Sequence, residues 1–534
     1  MTSLHGKHLI AGERRRDAEA QHRATQAATG EALDPAVADA SAAEIDAAFA
    51  AAVAAHRALD PLVEPDLAAK TAAFLEAIGA HIEGLGDALV ERATAETGLP
   101  QGRIVGERGR TINQLRSFAA LVREGSWVGA RIDRALPERQ PIPRPDLRRM
   151  LVPVGPVVVF GASNFPLAFS VAGGDAASAL AAGCPVIAKA HPSHPGTSEL
   201  VGEAITAAAR ECAMPAGVFS LVHGPSHAVG QALVRHPSAR AVGFTGSLRG
   251  GRALLEAAAS RPDPIPVFAE MGSVNPVVFL PGALRERGAA LATQAAGSIT
   301  LGVGQFCTNP GVLLVPAGET GDAFVAGLAE ALGAAGAGVM LDPNILAGYR
   351  RGVEARAASA HAERVPLTCA GPETRGLPAL FTTTATALAA DPSLREELFG
   401  PASLVVRWRD ADDLLAALEG FEGQLSATVH AAENSDDAGL VRRVAPVLSR
   451  RVGRLLFGGF PTGVEVCPSM QHGGPWPASS DARTTSVGTA AIERFARPLC
   501  LQSAPAALVP PALQDQNPLG LLRLVDGVPT RDAL

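Results

Sequence analysis

The segment Gly302-Val303-Gly304-Gln305-Phe306-Cys307-Thr308 places one cysteine in a glycine-rich, tight backbone setting just after an apolar stretch. A thiol of pKa about 8.5 is mostly protonated at neutral pH, so a nucleophilic role requires a nearby base, a cation or helix-terminal N–H groups. Taken alone, Cys307 reads more readily as a small buried hydrophobe. Two other segments bear on it. Glu270 stands in Phe268-Ala269-Glu270-Met271-Gly272-Ser273, after a proline-rich approach and before an apolar run at Val277, where a carboxylate could activate water. An isolated glutamate at a turn is more often solvent-facing. Asn164 lies in Gly161-Ala162-Ser163-Asn164-Phe165-Pro166, where a fixed amide donor could meet a developing oxyanion. Alone it is an ordinary loop asparagine.

These residues need a frame. From Met150 onward, short β-branched runs alternate with helical patterns: Val157 to Phe160, Val186 to Ala188, Val218 to Val222, Ala241 to Phe244 and Val277 to Leu280. Alternation of this kind predicts an α/β fold with a doubly wound parallel sheet, whose ligands bind beyond the carboxyl ends of the strands. A second α/β stretch follows from Pro276 to about Gly463. Ahead of the sheet, Ser41 and Glu44 form a capping box, and Ile45, Phe49 and Val53 recur at helical spacing, which predicts a helix from Ala42 to Leu59. Leu67 to Ala95 and Arg103 to Val122 repeat that period. Leu136 to Asp146 holds four prolines, which exclude a helix and mark an extended connection or edge hairpin. The Pro- and Leu-rich tail after Leu499 is expected to pack on a neighbour.

Composition narrows the class. The 534 residues carry 46 Lys plus Arg against 53 Asp plus Glu, a net charge of −7 that argues against a nucleic-acid partner. Hydrophobic residues make up 47 % but aromatics only 4 %, so the core is aliphatic and disorder over the whole length is excluded. The length suits about three domains. Cys184, Cys212, Cys307, Cys369, Cys467 and Cys500 form no CxxC pair, as expected for reduced thiols in a cytoplasmic enzyme without a metal centre. Met1 to Arg16 carries His5, Lys7, Glu13 and three arginines in place of an apolar signal segment. Gly288 to Gly304 is interrupted by polar residues and falls short of a bilayer's ~20 residues, so it reads as core and not membrane.

Cys307, Glu270 and Asn164, together with Phe244-Thr245-Gly246-Ser247 and Glu397-Leu398-Phe399-Gly400-Pro401, occur in the order and at the spacings of the aldehyde dehydrogenase superfamily. The resemblance runs from the helices near Ser41 to Thr489. It implies Cys307 as nucleophile, Glu270 as general base, and the Asn164 amide with the Cys307 N–H as oxyanion donors. A cysteine hydrolase would need a histidine partner, and none stands in a matching motif. No GxGxxG follows a strand. The resemblance instead brings a nicotinamide dinucleotide to the helix opened by Gly246 and Ser247, whose free N–H groups suit a pyrophosphate. It assigns Lys189 to the adenosine ribose, Glu397 to the nicotinamide ribose and Phe399 to the neighbourhood of the nicotinamide ring.

Members that prefer NAD commonly follow the lysine with Pro-Ser-Glu, whereas Lys189 is followed by Ala190-His191-Pro192-Ser193-His194. With that acid missing, Lys189, His191 and Ser193 are candidates to accept a ribose phosphate, so NADP is favoured and NAD is a second possibility. Ser273 replaces a second glycine after Glu270.

Arg110 to Arg116, Pro461 to Val466, Gln471 to Pro475 and Arg494 to Pro498 resemble the bacterial alpha-ketoglutarate semialdehyde (2,5-dioxovalerate) dehydrogenases. That resemblance implies oxidation of 2,5-dioxopentanoate to 2-oxoglutarate. Two other readings stand beside it: an NADP-dependent dehydrogenase of medium-chain aliphatic aldehydes, and a non-catalytic binding or structural protein on the same scaffold. The substrate's carboxylate needs a cation, and Arg110 and Arg116 are the candidates, with Phe165 and Phe169 as apolar walls. Six residues apart, the arginines are separated by about 240° around a helix, so only one can face the tunnel, and Arg110 is preferred. By resemblance the chain divides into a nucleotide-binding domain (1–275), a catalytic domain (276–465) and a return segment with tail (466–534). The hairpin near 128–150 and residues after about 480 build an oligomerisation element, giving a homodimer or homotetramer.

Overall fold

The alternating runs assemble into two seven-stranded sheets and a five-stranded one in a computed structural model that describes residues 4–62, 64, 66–372, 374–434 and 436–534. The first sheet has the order Val267–Glu270, Ala241–Thr245, Val157–Phe160, Val186–Lys189, Phe219–Val222, His8–Ile10, Glu13–Arg15, and its first five strands are parallel. Side chains alternate across it as the pleat dictates. Val157 and Val159 enter the core shared with the helices Leu67–Gly84 and Gln101–Glu124, while Val158 and Phe160 enter the core under Ala42–Ala58 and Leu248–Ala259. Both faces are covered, which is why these strands are uniformly apolar.

Sequence patterning treats Glu270 as a loop residue, but it ends a strand. Val267–Glu270 is paired along one edge with Ala241–Thr245, Glu270 opposite Thr245. Its short length and the prolines at 264 and 266 conceal it. Glu270 therefore sits at a strand's carboxyl end, where a parallel sheet presents its ligands.

The second sheet, from Val277–Phe279 through Val452–Phe457, is parallel except for the edge strand Glu363–Val365. The Ala-rich stretch is core: Pro281–Thr300 is helical and buries Leu291, Ala292, Ala295 and Ile299 against this sheet. Among the described residues no helix is long and apolar enough to cross a membrane.

The capping box is formed, Ser41 Oγ accepting from the Glu44 N–H at 3.2 Å and the Glu44 carboxylate from the Ser41 N–H at 2.8 Å. The stretch 67–95 divides in two at Gly86, whose φ of +57° lies in the left-handed region. The proline-rich segment closes on itself through a bridge between Leu136 and Arg144. It leads into the third sheet, ordered Ala496–Gln502, Leu147–Pro153, Arg131–Asp133, Arg523–Val525, Val528–Thr530. The Pro- and Leu-rich tail buries Leu513, Leu521 and Val525 with Ile132 and Met150 of its own chain.

After the second sheet the chain returns to the first. The Met271 N–H donates to Ala478 O at 2.8 Å and the Ala269 N–H to Ser480 Oγ at 2.8 Å, so residues 472–486 lie along the free edge of Val267–Glu270. That return brings a third segment to the cleft.

Candidate active site

Three successive residues before the nucleophile, Gly302, Val303 and Gly304, have φ of +56°, +58° and +66°. A β-branched residue is rarely held there, and such strain persists only where the surroundings impose it. A Cβ on Gly304 would lie 2.3 Å from the Gly400 carbonyl, which excludes any side chain. The turn is then pinned from both sides. Gln305 Nε2 donates to Gly302 O at 3.1 Å, and the buried Asn275 amide donates to Cys307 O at 2.8 Å and Asn309 O at 2.9 Å.

Glu270 is buried, and its Oε2 accepts from Ser486 Oγ at 2.5 Å while Oε1 has no hydrogen-bond partner among the described residues. His472 lies between carboxylate and thiol, its Nε2 3.2 Å from Glu270 Oε2 and 3.6 Å from Cys307 Sγ. His472 belongs to no cysteine-hydrolase motif, and its place beside the thiol was not singled out in the sequence. The two residues meet only because the return segment threads back, so no local spacing could pair them. The signal was present in Gln471-His472-Gly473-Gly474-Pro475, where a Cβ on Gly474 would lie 2.3 Å from Gln424 O. His472 is itself fixed, its N–H donating to Thr485 Oγ1 at 2.8 Å and its carbonyl accepting from the Ser486 N–H at 2.7 Å.

Electrostatics divide the labour. Burial pushes the Cys307 thiol well above its ordinary range, the charge of Glu270 and a hydrogen bond to it add to this, and Arg110 opposes it. The resting group is a thiol that needs a proton acceptor. Burial also raises Glu270, but the charge and hydrogen bond of His472 and the bonds from Ser486 and Cys307 outweigh it and hold the carboxyl below its ordinary value. A carboxylate, able to accept a proton, therefore stands beside the thiol.

Asn164 is buried at the carboxyl end of Val157–Phe160, one N–H donated to Gln305 O at 2.9 Å. The turn after it carries Phe165 and Phe169, 5.1 Å apart in edge contact, with Phe306 edge-on to Phe165 at 5.4 Å. A buried carboxylate that sequence reasoning did not single out holds this turn: Glu107 Oε1 accepts from the Leu167 and Ala168 N–H groups, each at 2.9 Å. On the same helix, Gln101–Glu124, Arg103 lies 4.4 Å from the Phe165 ring centre and Arg110 lies 5.4 Å from that of Phe169. Arg110 Nε and Nη2 are buried without a hydrogen-bond partner among the described residues. Arg116 is a correction. It points away from these rings, exposed and 3.5 Å from Glu83, as the 100° helical step requires.

The residues expected to meet a cofactor surround the same strand ends. Ser247 caps Leu248–Ala259 by accepting from the Gly250 N–H at 3.2 Å, and a Cβ on Gly246 would lie 2.6 Å from the Phe244 ring. The helix start thus suits close approach of a pyrophosphate. Burial lowers the Lys189 ammonium to about 8. Burial raises Glu397 to about 8, an N–H from Ser273 opposing and the Glu270 charge assisting, and a Cβ on Gly272 would lie 2.4 Å from its Oε2. Phe399 is partly buried beside it.

Two of the candidate phosphate contacts have charged or titratable neighbours of their own. Burial and the neighbouring His194 and Lys189 hold His191 well below the ordinary imidazole pKa. Ser193 Oγ donates to Asp342 Oδ2 at 2.6 Å, so an acid from the second α/β unit reaches the position where the local motif lacks one.

A thiol in a strained turn, a buried carboxylate, a buried amide and an open helix start meet at parallel strand ends. The aldehyde dehydrogenase family model matches residues 15–458, and the chain belongs to that family, an NAD(P)-dependent oxidoreductase. It is 53 % identical over 529 residues to "Alpha-ketoglutaric semialdehyde dehydrogenase 2" of Azospirillum brasilense, covering 98 % of this chain and 99 % of that one. It is 48 % identical to "Alpha-ketoglutaric semialdehyde dehydrogenase" of Acinetobacter baylyi, covering 86 % and 87 %. A solved E. coli NADP-dependent enzyme superposes with a TM-score of 0.76 at 26 % identity, over 93 % of this chain and 98 % of that one.

Proposed function

We propose that this chain oxidises 2,5-dioxopentanoate to 2-oxoglutarate in the cytoplasm, as a homodimer or homotetramer. The observation that carries the substrate is Arg110: its Nε–Nη2 edge is buried without a hydrogen-bond partner among the described residues, and its guanidinium lies over the Phe165 and Phe169 rings. That edge is the fork a guanidinium uses to bind a carboxylate through two parallel bonds. The names of the Azospirillum and Acinetobacter relatives support the same semialdehyde.

The Cys307 thiol loses its proton to the Glu270 carboxylate, which passes it to solvent, and the thiolate attacks the aldehyde carbon. The resulting oxyanion is held by the second Asn164 N–H and the Cys307 N–H. The dinucleotide, when bound, supplies the acceptor for the hydride. Glu270 then takes a proton from water, the hydroxide attacks the thioester, and the C–S bond breaks to release the acid, the Cys307 thiolate regaining its proton from Glu270. Residues 1–275 hold the dinucleotide through Gly246, Ser247 and Lys189, residues 276–465 carry the nucleophile and Glu397, and 466–534 return His472 and support self-association.

Both dinucleotides serve in this proposal. The missing acid after Lys189 supports NADP, while Asp342 beside Ser193 opposes a ribose phosphate and supports NAD. The six free cysteines fit a reducing compartment. The apolar Phe165, Phe169 and Phe306 walls favour a second reading, oxidation of medium-chain aldehydes. A steady-state panel of 2,5-dioxopentanoate, hexanal and decanal with NAD and with NADP tests the proposal. The highest kcat/KM is expected for the oxo acid, and a higher value for hexanal would replace the substrate.

A further inference from the structure

The thiol, imidazole and carboxylate at the heart of the site are three different transition-metal donors. Cys307 Sγ, His472 Nε2 and a Glu270 carboxylate oxygen all lie within 4.8 Å of one another, a grouping not repeated by any other His, Cys, Asp or Glu trio among the described residues. Zinc bonds sulfur at about 2.3 Å, imidazole nitrogen at about 2.05 Å and carboxylate oxygen at about 2.0 Å. Tetrahedral angles then set the donor separations at about 3.6 Å for sulfur to nitrogen and about 3.3 Å for nitrogen to oxygen. The chain already holds these pairs at 3.6 Å and 3.2 Å.

Two further features complete such a site. Glu270 Oε1 is buried with no hydrogen-bond partner among the described residues, while Oε2 is oriented by the Ser486 hydroxyl, as an outer hydrogen bond orients a metal-bound carboxylate. His472 is anchored through its backbone at Thr485 and Ser486, so the ring is presented without a backbone rearrangement.

We propose that Cys307, His472 and Glu270 form a reversible inhibitory site for a borderline-soft divalent cation, Zn2+ in the first place. Three protein donors leave the fourth tetrahedral position to water. Binding replaces the S–H bond of Cys307 by an S–Zn bond and releases the proton to solvent, with no change of oxidation state. The sulfur lone pair needed for attack on the aldehyde is then committed to the metal, and a chelator restores it. Hard cations that prefer all-oxygen shells, Mg2+ and Ca2+, do not compete for this donor set.

The test uses the reduced full-length chain without substrate or dinucleotide, so its outcome is independent of which aldehyde the enzyme oxidises. Co2+ is titrated as a spectroscopic probe and displaced by Zn2+, and the rate of Cys307 alkylation by iodoacetamide is followed by peptide mass spectrometry. The expected result is one Co2+ per chain with a sulfur-to-cobalt charge-transfer band and a tenfold or greater slowing of Cys307 alkylation by Zn2+, reversed by EDTA. The band disappears in Cys307→Ser, and affinity falls at least tenfold in His472→Asn. Wild-type chain alkylated at Cys307 must also lose the band, which keeps the test decisive if a variant does not fold. Unchanged Co2+ binding in the alkylated chain, or no slowing of alkylation at tenfold excess Zn2+, overturns the proposal.

Discussion

Replacing Arg110 by methionine separates carboxylate recognition from packing. Methionine keeps an unbranched apolar stem against Phe165 and Phe169 while removing the Nε–Nη2 edge. Truncating one partner of a buried charge pair costs roughly 2 to 5 kcal/mol, much of it the cost of a desolvated carboxylate left alone. At about 1.36 kcal/mol per decade, kcat/KM for 2,5-dioxopentanoate should fall from roughly 30-fold to several thousand-fold. Hexanal has no carboxylate, and the variant no longer buries an unpaired cation beside it, so its kcat/KM should hold or rise. Loss of the cation–π contacts, about 0.5 to 2 kcal/mol, should appear in thermal stability and not in the ratio of the two substrates. The assay is the initial rate of reduced-dinucleotide absorbance for both aldehydes, with Arg116→Met on the exposed face as the control that changes neither. Equal losses on both aldehydes would refute the assignment and make Arg110 a structural arginine.

Asp342→Asn removes a charge 2.6 Å from Ser193 Oγ, so the ratio of kcat/KM for NADP to that for NAD should rise about tenfold, and an unchanged ratio would remove Asp342 from cofactor selection. Lys189 binds anions only as the ammonium. With its pKa lowered by burial to about 8, raising the pH through 8 to 9 should discharge it and raise KM for NADP more than KM for NAD, and parallel profiles would show that the lysine does not meet the ribose phosphate. His472→Asn removes the imidazole that lies 3.6 Å from Cys307 and 3.2 Å from Glu270 and should lower kcat/KM roughly 100-fold, whereas a value equal to wild type would assign His472 to packing alone.

The tight backbone around Cys307 was legible because its constraints are local. A run of glycines before Cys307 signals a backbone that side chains cannot follow, and the structure realises it as three left-handed residues against Gly400. The Ser41 capping box, the helix phase that separates Arg110 from Arg116, and the apolar strands beneath Asn164 follow from periodicities of a few residues. What stayed hidden depends on chain segments far apart in sequence. His472 meets Cys307 across 165 residues and Asp342 meets Ser193 across 149, and neither pairing leaves a trace in local spacing. Glu107 reads as an ordinary helix glutamate until its carboxylate is seen holding the Leu167 and Ala168 N–H groups. The strand Val267–Glu270 was masked by flanking prolines, which an edge position tolerates.

The central claim is that one thioester, on Cys307 and carrying the oxo acid, links hydride transfer to hydrolysis. Glu270→Gln should allow the first half-reaction and arrest the second, since the amide accepts no proton from water. A single turnover of this variant with 2,5-dioxopentanoate and NADP, quenched in acid and digested, can be read by peptide mass spectrometry. The predicted result is a stoichiometric burst of NADPH with a 2-oxoglutaryl thioester on the Cys307 peptide. A burst with Cys307 unmodified, acylation of another residue, or normal steady-state turnover would contradict it.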